Sequence, residues 1–541
     1  MSDDDGKALT KIQTLEGMAA AAERVRADGR TIALAHGTFD LLHMGHVRHL
    51  QAAARHGDVL FVTVTCDAGV NKGPGRPVFT EQLRAEMLAA LGCVECVAVN
   101  PEATAVNVIQ CVKPDVYIKG SDYANPDDDI TGKIRDERDA VEAYGGRIEF
   151  TDDITFSSST LINRYLDVFD PVLREYLDRK QNDAVEEEID RHYSDQLDEL
   201  EEDGGDPELA GMIAEFRDRL TAEIAGYRVL IVGDSIIDEY NYVFPMGKSP
   251  KENMIATRYR DSEVFAGGVA AAANHIAEFC ESVEILTAVG DDGYEDLTRK
   301  SLKPNVWLHA ITRPGKPTTR KARYIDDSYM RKLFEVYHMD DTPMEGEQER
   351  RLVDEIERRA GDFDLVIVTD FGHGLITSRV IDALSRSAKF LAVNCQSNSA
   401  NHGYNLITKY DRADYICIDA PEARLAVADK YADTESVVTE LLPARIDCPN
   451  FVVTHGKHGC IAWKRGGKAA KVPAFTKTVV DTVGAGDAFF AVTAPMVAAG
   501  ARMETAGFVG NAAGAMKVGI VGHRQSIEKV SLLKFIRTLL K

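Results

Sequence analysis

No run of about 18 apolar residues, the length needed to cross a bilayer as a helix, occurs anywhere in this 541-residue chain. No membrane span is therefore expected. Positive charge is also scarce. The 63 Lys and Arg are outnumbered by 86 Asp and Glu, giving a net charge of −23. A surface for nucleic acid needs clustered basic residues, so no nucleic-acid partner is expected. The opening MSDDDGK has no apolar core, and no secretory signal is expected from it. The nine cysteines are an odd, scattered set, which reads as free thiols of a cytoplasmic protein. Cys93 and Cys96 form a CxxC, but no second CxxC partners it. The apolar residues around it read as a buried strand. There are no short-period repeats, and the length exceeds one typical core, so at least two domains are expected.

What is present divides the chain into three parts. In residues 10–166 a helical pattern from Thr10 to Gly29 precedes the β-rich runs TIALAHG, DVLFVTVTCD, CVAVN, VYIKG and RIEFT. Strands alternating with helices imply a parallel sheet and an α/β class. Residues 167–225 show no strand pattern. From Asp170 to Glu223 there are 19 acidic and 6 basic residues, which is more than half of the net charge. A solvated acidic tether is one reading. Apolar residues at steps of three and four favour two amphipathic helices, Val185–Leu200 and Leu209–Ile224. Residues 226–541 return to alternating strands and helices, from YRVLIVGDSIIDEY through FDLVIVTDFG and NFVVTHG.

HGTFDLLHMGHVRHL places His36, His43, His46 and His49 within one short span. Imidazole is the commonest metal ligand, so a metal site is the first reading to weigh. A zinc-protease helix would read HExxH with its Glu as base; here the pair is HMGH, with no nearby Glu. The stretch instead joins a strand to a helix, a turn whose backbone N–H groups suit an anion. His49 reads as a surface residue of that helix. HGTFDLLHMGH resembles the GxFDxxHxGH signature of the nucleotidyltransferases that include cytidylyltransferases and sugar-phosphate adenylyltransferases. Lys72, Arg84, the KGSDY stretch containing Lys119, and FSSSTLI follow in the family's order. The resemblance implies that His43 and His46 stabilise the triphosphate during attack and that Lys72 binds phosphate. It implies further that Gly37, Thr38, Phe39, Asp40, Arg84, Lys119, Ser158, Ser159 and Thr160 surround the nucleotide, ATP or CTP, with Mg²⁺.

DTVGAGDAFF, residues 481–490, puts Gly484, Ala485 and Gly486 ahead of a helical run. Free N–H groups there would form an anion hole, and Asp487 at the helix start could take a proton from a hydroxyl. An ordinary Gly-rich turn with an acidic first helical turn is the alternative. The surrounding residues resemble the ribokinase-like (PfkB-type) sugar kinases. That resemblance implies that Asp238, Gly267, Gly268 and Asn274 bind the sugar. It also implies that Thr454, Gly456, Gly459 and Asn511 line the nucleotide site, and that Glu422 of Asp419-Ala420-Pro421-Glu422 meets Mg²⁺ through water. The family's NxxE begins with Asp here. Asp370-Phe371-Gly372 spells the protein-kinase DFG without an HRD loop, and reads as a strand end near the sugar site.

Both domains are thus expected to be Rossmann-like α/β, with an acidic helical linker between them. The pairing resembles the bifunctional enzymes of ADP-heptose synthesis, in which the kinase comes first; here the order is reversed. Sugar phosphates, NTPs and a second copy of the chain are the expected partners.

Overall fold

The computed structural model describes residues 9–70, 72–102, 104–120, 133–151, 158–166, 169–177, 223–476 and 479–540. The chain divides into two compact units, Met1–Val168 with Leu533–Lys541, and Phe169–Leu532. Both are α/β, as the sequence predicts. Among the described residues no helix is long and apolar enough to cross a membrane. The linker helices expected within 178–222 lie outside the described residues; Ile224, at the end of that pattern, is buried in one 3-10 turn.

The first unit is built on β1 (Ile12–Gln13), β2 (Ile32–Gly37), β3 (Val59–Thr65), β4 (Cys96–Asn100), β5 (Val116–Gly120) and β6 (Arg147–Thr151). They form one parallel sheet in the order β1-β4-β3-β2-β5-β6. Parallel sheets are covered on both faces, which is why all seven residues of VLFVTVT in β3 are buried. In β2, Ile32 and Leu34 join Met18, Phe61 and Tyr117 in one core, while Ala33 and Ala35 join Leu50, Leu60 and Leu88 in another. Each fully buried Leu or Phe contributes about 1.5–3 kcal/mol by leaving water. The helix read from Thr10 starts later than predicted. Ile12–Gln13 pairs with β4, and the helix is Leu15–Ala27, capped by Thr14 through the Gly17 N–H at 3.1 Å. The pairing of Lys11–Gln13 with a buried strand outweighs helix propensity there.

The second unit holds a nine-stranded sheet. Its strands are β7 (Arg228–Gly233), β10 (Ser282–Gly290), β11 (Val306–Arg313), β14 (Leu365–Asp370), β15 (Leu391–Cys395), β16 (Tyr415–Asp419), β17 (Asn450–Thr454), β18 (Cys460–Lys464) and β19 (Ala470–Val472). Their order is β11-β10-β7-β14-β15-β16-β17-β18-β19, parallel except for the last two pairings. A second sheet orders β8 (Ser235–Lys248), β9 (Ile255–Gly268), β12 (Thr319–Asp326) and β13 (Arg331–His338) as β13-β12-β8-β9. The sequence reading does not anticipate this sheet. In the outer part of β9, RYRDSE, Arg258 to Ser262 are exposed and only Glu263 is half-buried, so no two-residue alternation marks it.

In both sheets the order reverses about one strand, β2 in the first and β7 in the second. Crevices form beyond the carboxyl ends of parallel strands at such reversals. Gly37 lies at the carboxyl end of β2, and Gly233 at that of β7.

Candidate active sites

In the first unit, β2 ends at Gly37, and a Cβ there would lie 3.1 Å from the Phe39 ring. Phe39 itself has φ 48°, a left-handed conformation that an aromatic residue rarely takes. The loop is held in place by buried charge. Asp40 accepts from Arg76 Nη1 at 2.7 Å, Val78 N at 2.6 Å and Phe79 N at 3.4 Å. Arg84, fully buried, donates to Phe79 O at 2.9 Å, Thr38 O at 2.6 Å and Asp67 Oδ1 at 2.5 Å. The sequence reading set Arg84 and Asp40 around the nucleotide; in the structure both bond to the chain itself. Their polar atoms are engaged in shaping the loop that carries Thr38 and Phe39.

His43 caps helix Met44–Ala53 with Nδ1, which accepts from Gly45 N at 3.1 Å. In the neutral ring the proton then sits on Nε2, and that atom is buried with no hydrogen-bond partner among the described residues. The His46 ring stacks on His43 at 4.0 Å and meets Phe39 edge-on at 5.2 Å. His46 Nδ1 is likewise buried without a partner, while Nε2 lies 3.5 Å from Ser158 Oγ. Burial lowers both imidazoles. His46 falls to about 3, through burial first and then the charges of His43, Lys72 and His49. Two neutral rings with unpartnered buried nitrogens are preorganised for an anion. Ser158, Ser159 and Thr160 open helix Ser158–Tyr165. Lys119, at the end of β5, pairs with Glu137 at 2.8 Å. His49 is not a bare surface residue, since its Nδ1 lies 2.7 Å from Thr151 Oγ1. His36, which the sequence left without a role, bonds Thr63 at 2.9 Å and is pushed down to about 4, chiefly by burial. Among the described residues no three His, Cys, Asp or Glu side chains converge as a metal-binding group. All nine cysteines are free.

In the second unit, Gly484 has φ 75° and precedes helix Ala485–Ala498. Asp487, in its first turn, is buried and accepts from Gln396 Nε2 at 2.8 Å. Burial raises its carboxyl; His523 and Gln396 oppose that, and Asp238 adds to it. Asp238 and Asp487 therefore feel one another. Asp238 lies on β8, where Arg323 Nη1 donates to it and His523 Nε2 lies 3.1 Å away. Burial pushes Asp238 up, but His523 and Arg323 outweigh it and hold the carboxyl well below the usual range. A Cβ on Gly267 would overlap Asp238 Oδ2, and one on Gly268 would crowd Asp234 O at 2.6 Å, so both positions require glycine. Lys321, buried beside Arg323 on β12, lies over the rings of Tyr337 at 5.4 Å and Phe371 at 5.8 Å. Phe371 N donates to Asp234 at 2.9 Å, and Asp370, ending β14, accepts from Tyr410 OH at 2.7 Å.

Asn274, expected at the sugar, has internal partners. Its amide donates to Ser301 O at 2.9 Å and accepts from Lys303 N at 3.0 Å, tying helix Val269–Ile276 to a neighbouring loop. Asn511 donates to Val472 O and Pro473 O, each at 3.0 Å, so its amide shapes the wall by β19. Thr454 ends β17, and Gly456 and Gly459 turn the chain into β18 with φ 50° and 82°. Glu422 accepts from Asp419 N and Ser397 N, both at 2.9 Å, and closes a capping box with Asp419. Burial and then the Asp419 charge push Glu422 up to about 8. Two crowded carboxyls at the end of β16 fit a nearby cation, and the donor set suits contact through water.

His523, Arg323, Lys321, Gln396 and Lys517 escape the sequence reading. They come from segments far apart in the chain, and no fixed spacing joins them to GAGD.

The sequence model of the cytidylyltransferase-like family matches residues 34–164. The bifunctional protein HldE of Syntrophotalea carbinolica is 41% identical over 164 residues, 30% of this chain and 32% of that protein. HldE of Bradyrhizobium diazoefficiens is 29% identical over 313 residues, 56% of this chain and 62% of that protein. The chain thus spans about a third of the length of the first of these curated relatives. Among solved structures, ribokinase from Thermotoga maritima covers 57% of this chain and 99% of its own at 18% identity and a TM-score of 0.45. The tetrameric inhibited form of Escherichia coli phosphofructokinase-2 covers 58% and 100% at 15% identity and a TM-score of 0.47. The pfkB carbohydrate kinase model matches residues 228–530, more than half of the sequence, and the chain belongs to the pfkB family of carbohydrate kinases.

Proposed function

We propose that the chain carries two transferases of nucleotide-activated sugar synthesis. The C-terminal unit phosphorylates a sugar phosphate with ATP, on our reading heptose 7-phosphate at O1. The N-terminal unit transfers a nucleotidyl group, from ATP, to a sugar 1-phosphate. The observation that carries the kinase half is buried Asp487 at the start of Ala485–Ala498, charge-coupled to Asp238. Asp238 orients the acceptor hydroxyl and Asp487 takes its proton. The oxygen bonds to the γ-phosphorus, the bond to the β-phosphate oxygen breaks, and ADP leaves. The raised affinity of Asp487 for a proton suits a base of this kind. Lys321 and Arg323 supply positive charge for an acceptor that is itself a phosphate.

In the N-terminal unit, a phosphate oxygen of the sugar attacks the α-phosphorus and pyrophosphate leaves. The unpartnered His43 Nε2 and His46 Nδ1 meet the charge that develops, with Lys72 close enough to act on His46. Mg²⁺, when bound, neutralises part of the triphosphate charge; Glu422 and Asp419 would hold it through water in the kinase half. The relation to HldE proteins supports the heptose assignment. Transfer of a cytidylyl group to another sugar or polyol phosphate is the second reading, favoured by the match to the cytidylyltransferase-like family. A panel of sugar phosphates with ATP or CTP, with ADP and pyrophosphate measured separately, tests both. Pyrophosphate from CTP with another sugar or polyol phosphate, and none from ATP with heptose 1-phosphate, would replace the first reading by the second. A homodimer belongs to this reading, supported by the exposed Met254, Ile255 and Tyr259 at β9, and light scattering measures it.

A further inference from the structure

Lys517 closes helix Met503–Lys517 and is fully buried. A buried ammonium is normally matched to a carboxylate, because removing a charge from water without compensation is strongly unfavourable. Among the described residues no carboxylate lies within 4 Å of this one. Its Nζ donates instead to two neutral backbone oxygens, Val483 O at 2.8 Å and Gly522 O at 2.6 Å. Val483 is the residue before the Gly484 turn, and Gly522 precedes His523. The lysine stem lies against the turn itself, with Cε 3.3 Å from where a Gly484 Cβ would stand.

The surroundings explain why the charge persists. Burial lowers the proton affinity of Lys517, and the nearby charges of Asp481, Asp487 and Asp238 oppose that loss. Asp481 is committed elsewhere, accepting from Tyr240 OH at 2.6 Å, Gly522 N at 2.9 Å and Lys332 Nζ at 2.9 Å. A positive charge is thus fixed beneath the turn, on the protein side, held by backbone oxygens, with the nearby carboxylates acting on it through space rather than by direct pairing among the described residues.

We propose that Lys517 is a tethered cation of the kinase site, a positioning residue that braces the Gly484–Gly486 turn against the Gly522–His523 segment and adds positive potential beneath the transferring phosphoryl group. This rests on the kinase reading of the C-terminal unit. Lys517 touches neither substrate nor nucleotide. It acts through Val483 O and through its charge, which is worth more in a water-poor site than at a surface. A cage of backbone oxygens that holds an ammonium also suits a free monovalent cation of similar size. The lysine therefore makes an added cation unnecessary.

The test uses the full chain, with ADP formation measured with ATP and heptose 7-phosphate or the best acceptor from the panel. The wild type should turn over equally in Na⁺, K⁺ or tetramethylammonium buffers. Lys517→Ala and the near-isosteric Lys517→Met should lower kcat by about 10²–10³-fold, the effect of one preorganised electrostatic group. The KM for the sugar should change much less. K⁺, NH₄⁺ or methylammonium should restore a concentration-dependent part of the rate in Lys517→Ala and none in Lys517→Met, where the side chain fills the space. A purely structural lysine would give a loss that added cations do not relieve. A wild type that needs K⁺, a Lys517→Met variant of normal rate, or a Lys517→Ala variant indifferent to cations would each overturn the inference. Failure of both variants to fold leaves the wild-type salt comparison to decide. No ADP from the wild type with any acceptor would remove the kinase reading and this inference together, whereas a working wild type with a normal variant removes this inference alone.

Discussion

Asp487 and the histidine pair make separable demands. If Asp487 is the base, Asp487→Asn should lower ADP formation by about 10²–10⁴-fold and leave pyrophosphate formation intact. Near-normal ADP formation would remove it from that role. For His43 and His46, substitution by Ala should lower nucleotidyl turnover by about 10²–10³-fold with little change in ground-state NTP affinity. The reverse pattern, weak binding with unchanged kcat, would mean that they hold the triphosphate without favouring the transition state. The same imidazoles have a stability signature. His46 is held down to about 3 and His36 to about 4, against 6.5 for a free imidazole. Below pH 6.5 the unfolded chain takes up protons that these folded residues refuse. Their contribution is whole above that value and is lost as the pH falls toward 4 and then 3. Thermal melts at pH 7.5 and pH 5 should therefore differ less for His46→Gln than for the wild type. Equal differences would show that His46 is already charged in the folded protein.

Elements decide which of the motif residues touch a ligand and which build the turn. Arg84 sits on helix Glu81–Ala89, whose N-terminus Thr80 caps, and its guanidinium reaches back to Thr38 and Phe79. Arg84→Met should cost about 3 kcal/mol or more in denaturant unfolding, because two carbonyls lose their donor and Asp67 loses its partner. A change under about 0.5 kcal/mol, typical of surface substitutions, would return Arg84 to the ligand. Glu422, on helix Ala420–Val427, behaves oppositely to the histidines. Its proton is held up to about 8, so its share of stability falls as the pH rises from about 4.5 to 8. Mg²⁺ should lessen that fall, and Glu422→Gln should abolish it; a wild-type melt indifferent to Mg²⁺ across this range would count against the cation site.

The central strands were legible because β2, β3, β7 and β14 are continuous apolar runs, and the two glycine-bearing turns were legible because their spacing is local. The four-stranded sheet was not, since polar residues line much of β9. The internal contacts of Asn274 were hidden for a related reason. Its distance from Gly267 and Gly268 in the sequence says nothing about the Ser301 loop that engages its amide. His523 and Lys517 are isolated in the sequence, and only folding brings them to Asp238 and to the Gly484 turn.

At the scale of the whole molecule, the first unit takes its last piece from the far end of the chain, Leu533–Lys541. Within that unit Phe535 fills the space a Gly73 Cβ would need, and Asn163 Nδ2 donates to Thr538 O at 2.7 Å. Asn163 also accepts from Arg76, the partner of Asp40. On a ribosome, residues 533–541 are made only after the second unit has been synthesised. The first unit to be translated is thus the last to be complete, and nucleotidyl transfer should mature after the kinase. A chain stopped after Leu532 should keep ADP formation while its first unit melts earlier and its pyrophosphate formation drops. If both activities and both melts were unchanged, the tail would be an ornament of the fold, and the two units could be separated with scissors at residue 168.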